Sequence, residues 1–280
     1  MTNLAIRAEH LSKQYPLGGR PHPSGLRQAI AGAFRRKPQP SDSSRVHGHK
    51  QALWALRDVT FEVAAGEMVA LIGDNGCGKT TLLQILSRIT LPSSGSAQVR
   101  GVLRTLLDAG AGFHGELSGR DNVFLQASLH GMSRREIARR FDSIVAFSEL
   151  EPFLDMPLKR YSTGMCVRLA FAVAANAPAD VVLVDEVLTP VDGQFQRKCL
   201  AHLTNAVREG STVIVVSHDM EFLSRCCTRA LVFQTGCLVY QGPISDALRH
   251  YTSRNFSADD SPRQWAESPS SEHGVWEARF

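Results

Sequence analysis

Three apolar runs mark the chain as an α/β fold. Val69, Ala70, Leu71 and Ile72 form an apolar run that meets Gly73-Asp74-Asn75-Gly76-Cys77-Gly78-Lys79-Thr80-Thr81 and then Leu82, Leu83, Ile85 and Leu86. That order fits strand, glycine-rich loop, helix. Val181 to Val184 is a second apolar run, ending in Asp185-Glu186, and Val213 to Val216 is a third, ending in Ser217-His218-Asp219. Runs that are apolar on both faces belong to strands covered from both sides, as in a parallel sheet.

The remaining elements follow in order. Leu4 to Leu11 alternates moderately and leads through Ser12-Lys13-Gln14 to Tyr15-Pro16, a first strand ending at an aromatic. From Leu17 to Lys50 the composition shifts: Arg20, Arg27, Arg35, Arg36, Lys37, Arg45 and Lys50 face one acid, Asp42, among prolines 21, 23, 38 and 40. This is a basic insertion or linker, 17–50. Within it Ser24 could cap a short helix with Leu26, Ile30, Ala33 and Phe34 on one face. Two readings stay open there: a solvated surface helix, or a basic amphipathic segment against anionic headgroups or a membrane partner.

Leu53 to Val63 alternates, with Val59, Phe61 and Val63 on one face, and Ala64 to Glu67 turns into the apolar strand at 69. Leu91 to Gly95 reads as a turn, followed by strand-like pieces at Ala97 to Val99 and Val102 to Leu107. Gly110, Gly112 and Gly115 interrupt the chain around Phe113 and His114. A helical block follows from Ser118 to about Leu154, in which Ser133 and Glu136 form a capping box ahead of Ile137, Phe141, Ile144 and Val145. Tyr161-Ser162-Thr163-Gly164-Met165 opens another helix through Leu169 and Val173. Leu231 to Phe233 and Leu238 to Tyr240, split by Thr235-Gly236, read as a closing hairpin. Beyond Tyr251 the chain turns rich in Ser, Asp, Glu and Pro, a tail in which Trp265, Trp276 and Phe280 could anchor docking.

Composition sets the bounds. At 280 residues and 43% hydrophobic content the chain can bury a real core, and its formal charge of +4 is too mild to argue for nucleic acid. No apolar run approaches the roughly 18 residues of a spanning helix, and Arg7, Glu9, His10 and Lys13 stand where a signal peptide needs its apolar core. A cytosolic chain, or one bound to something that spans, is expected. The six cysteines, at 77, 166, 199, 226, 227 and 237, show no zinc-type C-x-x-C pair and read as reduced packing thiols.

Gly73 to Thr80 matches the P-loop pattern G-x-x-x-x-G-K-[ST]. Glycines let backbone N–H groups wrap an anion, the helix that follows adds unpaired N–H groups and a positive dipole end, Lys79 is a point charge for phosphates, and Thr80 offers a hydroxyl to magnesium. A glycine-rich turn that happens to carry a lysine is the bland alternative; with glycine near 7% of residues, a chance match is on the order of one per cent. At the carboxyl edge of the same sheet Asp185 is placed to hold magnesium, Glu186 to orient or deprotonate the attacking water, and His218 to sense the γ-phosphate.

Together these residues resemble the ATP-binding cassette (ABC) ATPases over nearly all of Leu4 to Tyr251. The matching motifs are Tyr15 as the aromatic under adenine, Gly73 to Thr81 as the P-loop, Tyr161 to Met165 as the signature motif, and Val181 to Glu186 as the second Walker motif. Thr189-Pro190-Val191-Asp192 matches the D-loop and His218 the switch histidine. The resemblance implies a P-loop NTPase domain over 1–251 with a mixed sheet core, an antiparallel β subdomain and a helical subdomain at about 112–178, followed by a flexible tail, 252–280. It implies ATP and Mg2+ as cofactors and a head-to-tail homodimer in which Ser162 and Gly164 contact the γ-phosphate held by the other copy. Catalysis then falls to Glu186, His218 and Lys79, nucleotide binding to Tyr15 and Gly73 through Thr81, and magnesium to Thr80 and Asp185.

The signature Tyr-Ser-Thr-Gly-Met followed by Arg168-Leu169-Ala170-Phe171, the run Gly112-Phe113-His114 before Glu116 to Asn122, and the basic insertion resemble one branch: the ATPases of polysaccharide exporters for O-antigen, capsule or teichoic acid. That branch implies an integral-membrane permease partner, a place at the cytoplasmic face of the inner membrane, and export of a lipid-linked polysaccharide. Rival readings are an ABC ATPase for a lipid or drug, or a soluble P-loop enzyme such as a nucleotide kinase or DNA-repair ATPase. The chain departs from the family in three places. The Q-loop glutamine is missing from Leu107-Asp108-Ala109-Gly110-Ala111, where Asp108 or water could substitute. Thr163 replaces a signature glycine. Cys77 stands where most relatives carry a small residue, and a helix N-terminus is expected to lower its pKa so that alkylation blocks ATP binding.

Overall fold

A computed structural model describes residues 3–16, 52–106, 112–185, 191–217 and 219–255. The basic insertion 17–50, the loop 107–111 with Asp108, Glu186, Thr189, Pro190, His218 and the tail from 256 onward lie outside the described residues.

Two sheets share one core. β1 (Leu4–Pro16), β2 (Ala52–Ala64) and β4 (Ser94–Val99) form an antiparallel sheet in the order β2-β1-β4. The larger sheet also draws on β3 (Met68–Ile72), β5 (Leu103–Leu106), β6 (Val181–Asp185), β7 (Thr212–Val216), β8 (Arg229–Gln234) and β9 (Cys237–Pro243), in the order β5-β6-β7-β3-β8-β9. All of its pairings are parallel except β8 with β9, the expected hairpin. Every residue of β3 and β7 is buried, which is why those stretches read as unbroken apolar runs instead of alternating ones.

Side-chain alternation divides the sheet's two faces. Val69, Leu71, Ile214 and Leu231 point to a layer made by the antiparallel sheet (Ile6, Leu11, Phe61, Val63) and helix α1 (Lys79–Leu86). Ala70, Ile72, Val213, Val215 and Val232 point to the opposite layer. There they meet α4 (Thr163–Asn176), α5 (Gly193–Arg208), α6 (Met220–Cys226) and α7 (Ile244–Asn255).

A third cluster joins α2 (Gly119–Leu129) and α3 (Arg134–Ser148) to the far side of α4. Val167 and Phe171 of α4 face the sheet, whereas Leu169, Ala172 and Val173 face the other helices. Because α4 is buried on two sides, a substitution in it reaches both the sheet and the helical lobe.

Helix starts follow local chemistry. Ser133 and Glu136 form the expected capping box, and Ser118, Ser162, Asp192 and Asp219 each accept a backbone N–H from their own first turn. Two boundaries differ from the sequence reading. β4 begins at Ser94, inside the expected turn, because its pairing with β1 defines it; α7 continues to Asn255, past the expected start of the tail at 252.

Candidate nucleotide site

The glycine-rich loop is wedged into place by backbone. Gly73 has φ +154°, and a Cβ there would lie 2.4 Å from Phe233 O; Gly78, the residue capping α1, has φ +109°, and a Cβ would lie 2.4 Å from Ala55 O. Side chains are therefore excluded at both. Gly236 N donates to Cys77 O at 3.0 Å, and Arg57 N donates to Gly236 O at 2.8 Å, so the β8–β9 turn and β2 both brace the loop. Asp74, Asn75, Gly76 and Thr80 form its exposed lip, and Thr81 is half-buried.

Lys79 lies beneath that lip. It is 6% exposed, and its Nζ donates to Gly73 O at 2.7 Å and Asp74 O at 3.0 Å. Among the described residues it makes no ion pair. α1 starts with no side-chain cap and no acidic residue in its first turn, leaving N–H groups and the positive dipole end directed at the loop. A covered cation beside an uncapped helix start calls for an anion of outside origin.

Thr80 Oγ1 donates to Asp185 Oδ2 at 2.9 Å, bringing together the two residues expected to hold magnesium. A hydroxyl and a carboxylate are hard oxygen donors, and with phosphate oxygens and water they suit Mg2+, which is bound by few protein ligands. On the lip, Asp74 Oδ1 accepts from Tyr251 Oη at 3.0 Å, so α7 reaches the loop, a contact absent from the sequence reading. Tyr15 lies opposite Leu53, close along β2 to the Ala55 that braces Gly78; its ring is 37% exposed, with Lys13 Nζ 4.9 Å from the centroid. It is available for stacking on a base.

Cys77 reverses an expectation. It is 4% exposed, and burial pushes its thiol above the ordinary value, while the neighbouring Lys79 pulls it down less strongly. The helix N-terminus does not make this thiol reactive, because desolvation of a thiolate outweighs it.

The signature motif stands apart. Ser162 is exposed at the start of α4, its Oγ accepting from Met165 N at 3.2 Å, and Gly164 lies in the first turn. Among the described residues no hydrogen bond joins either one to the glycine-rich loop. Tyr161 Oη donates to Phe153 O at 2.8 Å and presses on Gly119, where a Cβ would lie 2.2 Å from it. Asn122 is fully buried: its Nδ2 donates to the carbonyls of His114, Leu117 and Ser118, and its Oδ1 accepts from His114 N at 2.8 Å. Asn122 thus shapes the 113–118 loop, and Gly119 leaves room for the Tyr161 ring, roles their spacing did not reveal.

The matching family model is that of the ABC transporter, over residues 56–189. The chain is 41% identical over 177 residues to the O-antigen export system ATP-binding protein RfbB of Klebsiella pneumoniae, covering 63% of this chain and 72% of that one. The chain belongs to the ABC transporter family. It is also 39% identical over 218 residues to the protein of the same description from Myxococcus xanthus, covering 78% of this chain but only 48% of that one, so it spans about half of that relative's length. Among solved structures, a dimeric post-hydrolysis ATP-binding cassette bound to ADP and Pi matches with TM-score 0.67 over 85% of this chain and 98% of that chain, at 20% identity. That likeness establishes the fold: a P-loop ABC domain of mixed sheet, antiparallel sheet and helices. No helix among the described residues is long and apolar enough to cross a membrane.

Proposed function

We propose that this chain is the ATP-hydrolysing subunit of an exporter that moves a lipid-linked polysaccharide across the cytoplasmic membrane, working as a homodimer on the cytoplasmic face of an integral-membrane permease. The observation that carries nucleotide binding is Lys79, covered, without an ion-pair partner among the described residues, and set against an uncapped helix start. Support for the cargo comes from the exporter-branch resemblance, carried by the relatives' names and by the motif residues Tyr161, Gly119 and Asn122.

In this reading the glycine-rich loop and α1 hold the triphosphate through backbone N–H groups, Lys79 supplies charge to its terminal oxygens, and Tyr15 stacks on the base. Thr80 and Asp185 hold Mg2+, which when bound neutralises phosphate charge. Glu186 orients the attacking water and His218 contacts the γ-phosphate; general-base help of this kind supplies roughly 10² to 10⁴ in rate. Ser162 and Gly164 complete the site from the second copy. A lipid or drug exporter would use the same residues, so the cargo rests on the branch resemblance alone.

The test is nucleotide titration with cell fractionation. Lys79→Ala should abolish ATP binding by the folded chain, and the wild type should move to the membrane fraction only when its permease is co-expressed. Unchanged ATP affinity in Lys79→Ala, or ATPase activity that responds to DNA and not to the permease, would overturn the reading.

A further inference from the structure

Four charged side chains meet where α3 ends, α4 passes and α5 begins. Arg168, in the second turn of α4, donates from one Nη to Glu149 Oε2 at 2.9 Å and from the other to Asp192 Oδ2. Glu149 also accepts from Lys198 Nζ at 2.8 Å, and Lys198 donates to the carbonyl of Phe147 at 3.0 Å, close to the end of α3. Both cations lie over aromatic rings: Arg168 is 4.7 Å from the Phe195 centroid and Lys198 4.8 Å from that of Phe147.

The two carboxylates mark the ends of different elements. Glu149 is the C-terminal cap of α3 with φ +58°, in the left-handed region that non-glycine residues seldom adopt. Asp192 caps α5, accepting from Gln194 N at 3.1 Å and Phe195 N at 3.0 Å. Its carboxyl is held down at about 2, first by the backbone N–H of Phe195 and then by Arg168.

Exposed ion pairs contribute little to stability, and Glu149 and Asp192 are both well exposed, so stability alone does not account for the arrangement. The arrangement does fix geometry. A planar guanidinium can bridge two carboxylates in set directions, which an ammonium cannot. Arg168, 20% exposed and braced on Phe195, ties the helical lobe that ends at Glu149 to the segment that opens α5 at Asp192. The helix it stands on begins with Ser162 and Gly164.

We propose that Arg168 is a positioning residue for ATP hydrolysis: its bridge from Glu149 to Asp192 sets the orientation in which α4 presents Ser162 and Gly164 to the nucleotide held by a second copy of the chain. The inference rests on the head-to-tail reading given above. It separates two quantities. Binding at the chain's own glycine-rich loop does not involve Arg168, whereas turnover and ATP-driven pairing do.

The experiment compares wild type, Arg168→Gln, Arg168→Lys and Asp192→Asn. Asp192→Asn keeps a good helix cap while removing the charge, so it reports on the bridge even if Arg168→Gln folds poorly. Three readouts are taken: nucleotide Kd of the dilute chain, pairing with a non-hydrolysable ATP analogue by sedimentation, and kcat with its cooperativity in ATP. The expected result is an unchanged Kd, weaker pairing, and kcat lowered roughly tenfold or more in Arg168→Gln and Asp192→Asn, because misplacement of about 1 Å can cost up to ~10²-fold. Arg168→Lys should recover only part of the loss. If the wild type pairs and folded Arg168→Gln and Asp192→Asn match it in pairing and kcat, the bridge has no positioning role. If the wild type itself stays monomeric with the analogue, the head-to-tail reading fails and this inference with it.

Discussion

At Cys77 two effects of opposite sign meet. The start of α1 and the ammonium of Lys79 favour a thiolate, and burial opposes one; burial is the larger. The sequence shows the first effect, because loop, lysine and helix are adjacent, but hides the second, because the core cluster that buries Cys77 gathers strands distant in sequence, among them β1, β2 and β8. At neutral pH the thiol is therefore protonated and slow to react. Peptide-resolved mass spectrometry after iodoacetamide should find Cys77 alkylated at least about tenfold more slowly in the native chain than in urea, since the thiolate is the nucleophile. Equal rates would show that the loop exposes the sulfur.

Among the elements, the strands are legible where burial is complete or nearly so. Val69 to Ile72, Val181 to Val184 and Val213 to Val216 carry their own signal, and the capping box at Ser133 and Glu136 marks α3 by local chemistry alone. β4 has no buried residue, so only its pairing with β1 makes it a strand. α5 lies in a stretch whose helical signal is present but short: Asp192, then Phe195, Cys199 and Leu203 at four-residue steps. The link between α2 and the signature motif could not have been read at all, since Gly119 and Tyr161 meet only after the helices pack. That link is testable by a double-mutant cycle. Gly119→Ala should destabilise by about 1–3 kcal/mol through overpacking and Tyr161→Phe by about 1 kcal/mol through loss of the bond to Phe153 O. The double mutant should cost less than the sum, because removing the hydroxyl makes room for the methyl group. Strict additivity in urea unfolding would mean that the two do not touch.

At the scale of the whole molecule, the sequence displays the parts of a phosphate site, and the fold shows how they are distributed. The glycine-rich loop, Lys79, Thr80 and Asp185 come together within one chain, as their motifs require. Ser162, exposed at the start of α4, and Gly164, half-buried in its first turn, have no hydrogen bond to that loop among the described residues. Distance along the chain gives no hint of this separation; the resemblance to the ABC family implies that Ser162 and Gly164 serve the site of another copy. If each chain carries halves of two different sites, as proposed, hydrolysis requires a second copy. The decisive measurement is ATP turnover per chain over a dilution series, beside sedimentation of the same samples. Turnover per chain should fall in step with the paired fraction while ATP remains bound; full turnover per chain in samples shown to be monomeric would mean that one chain holds a whole site.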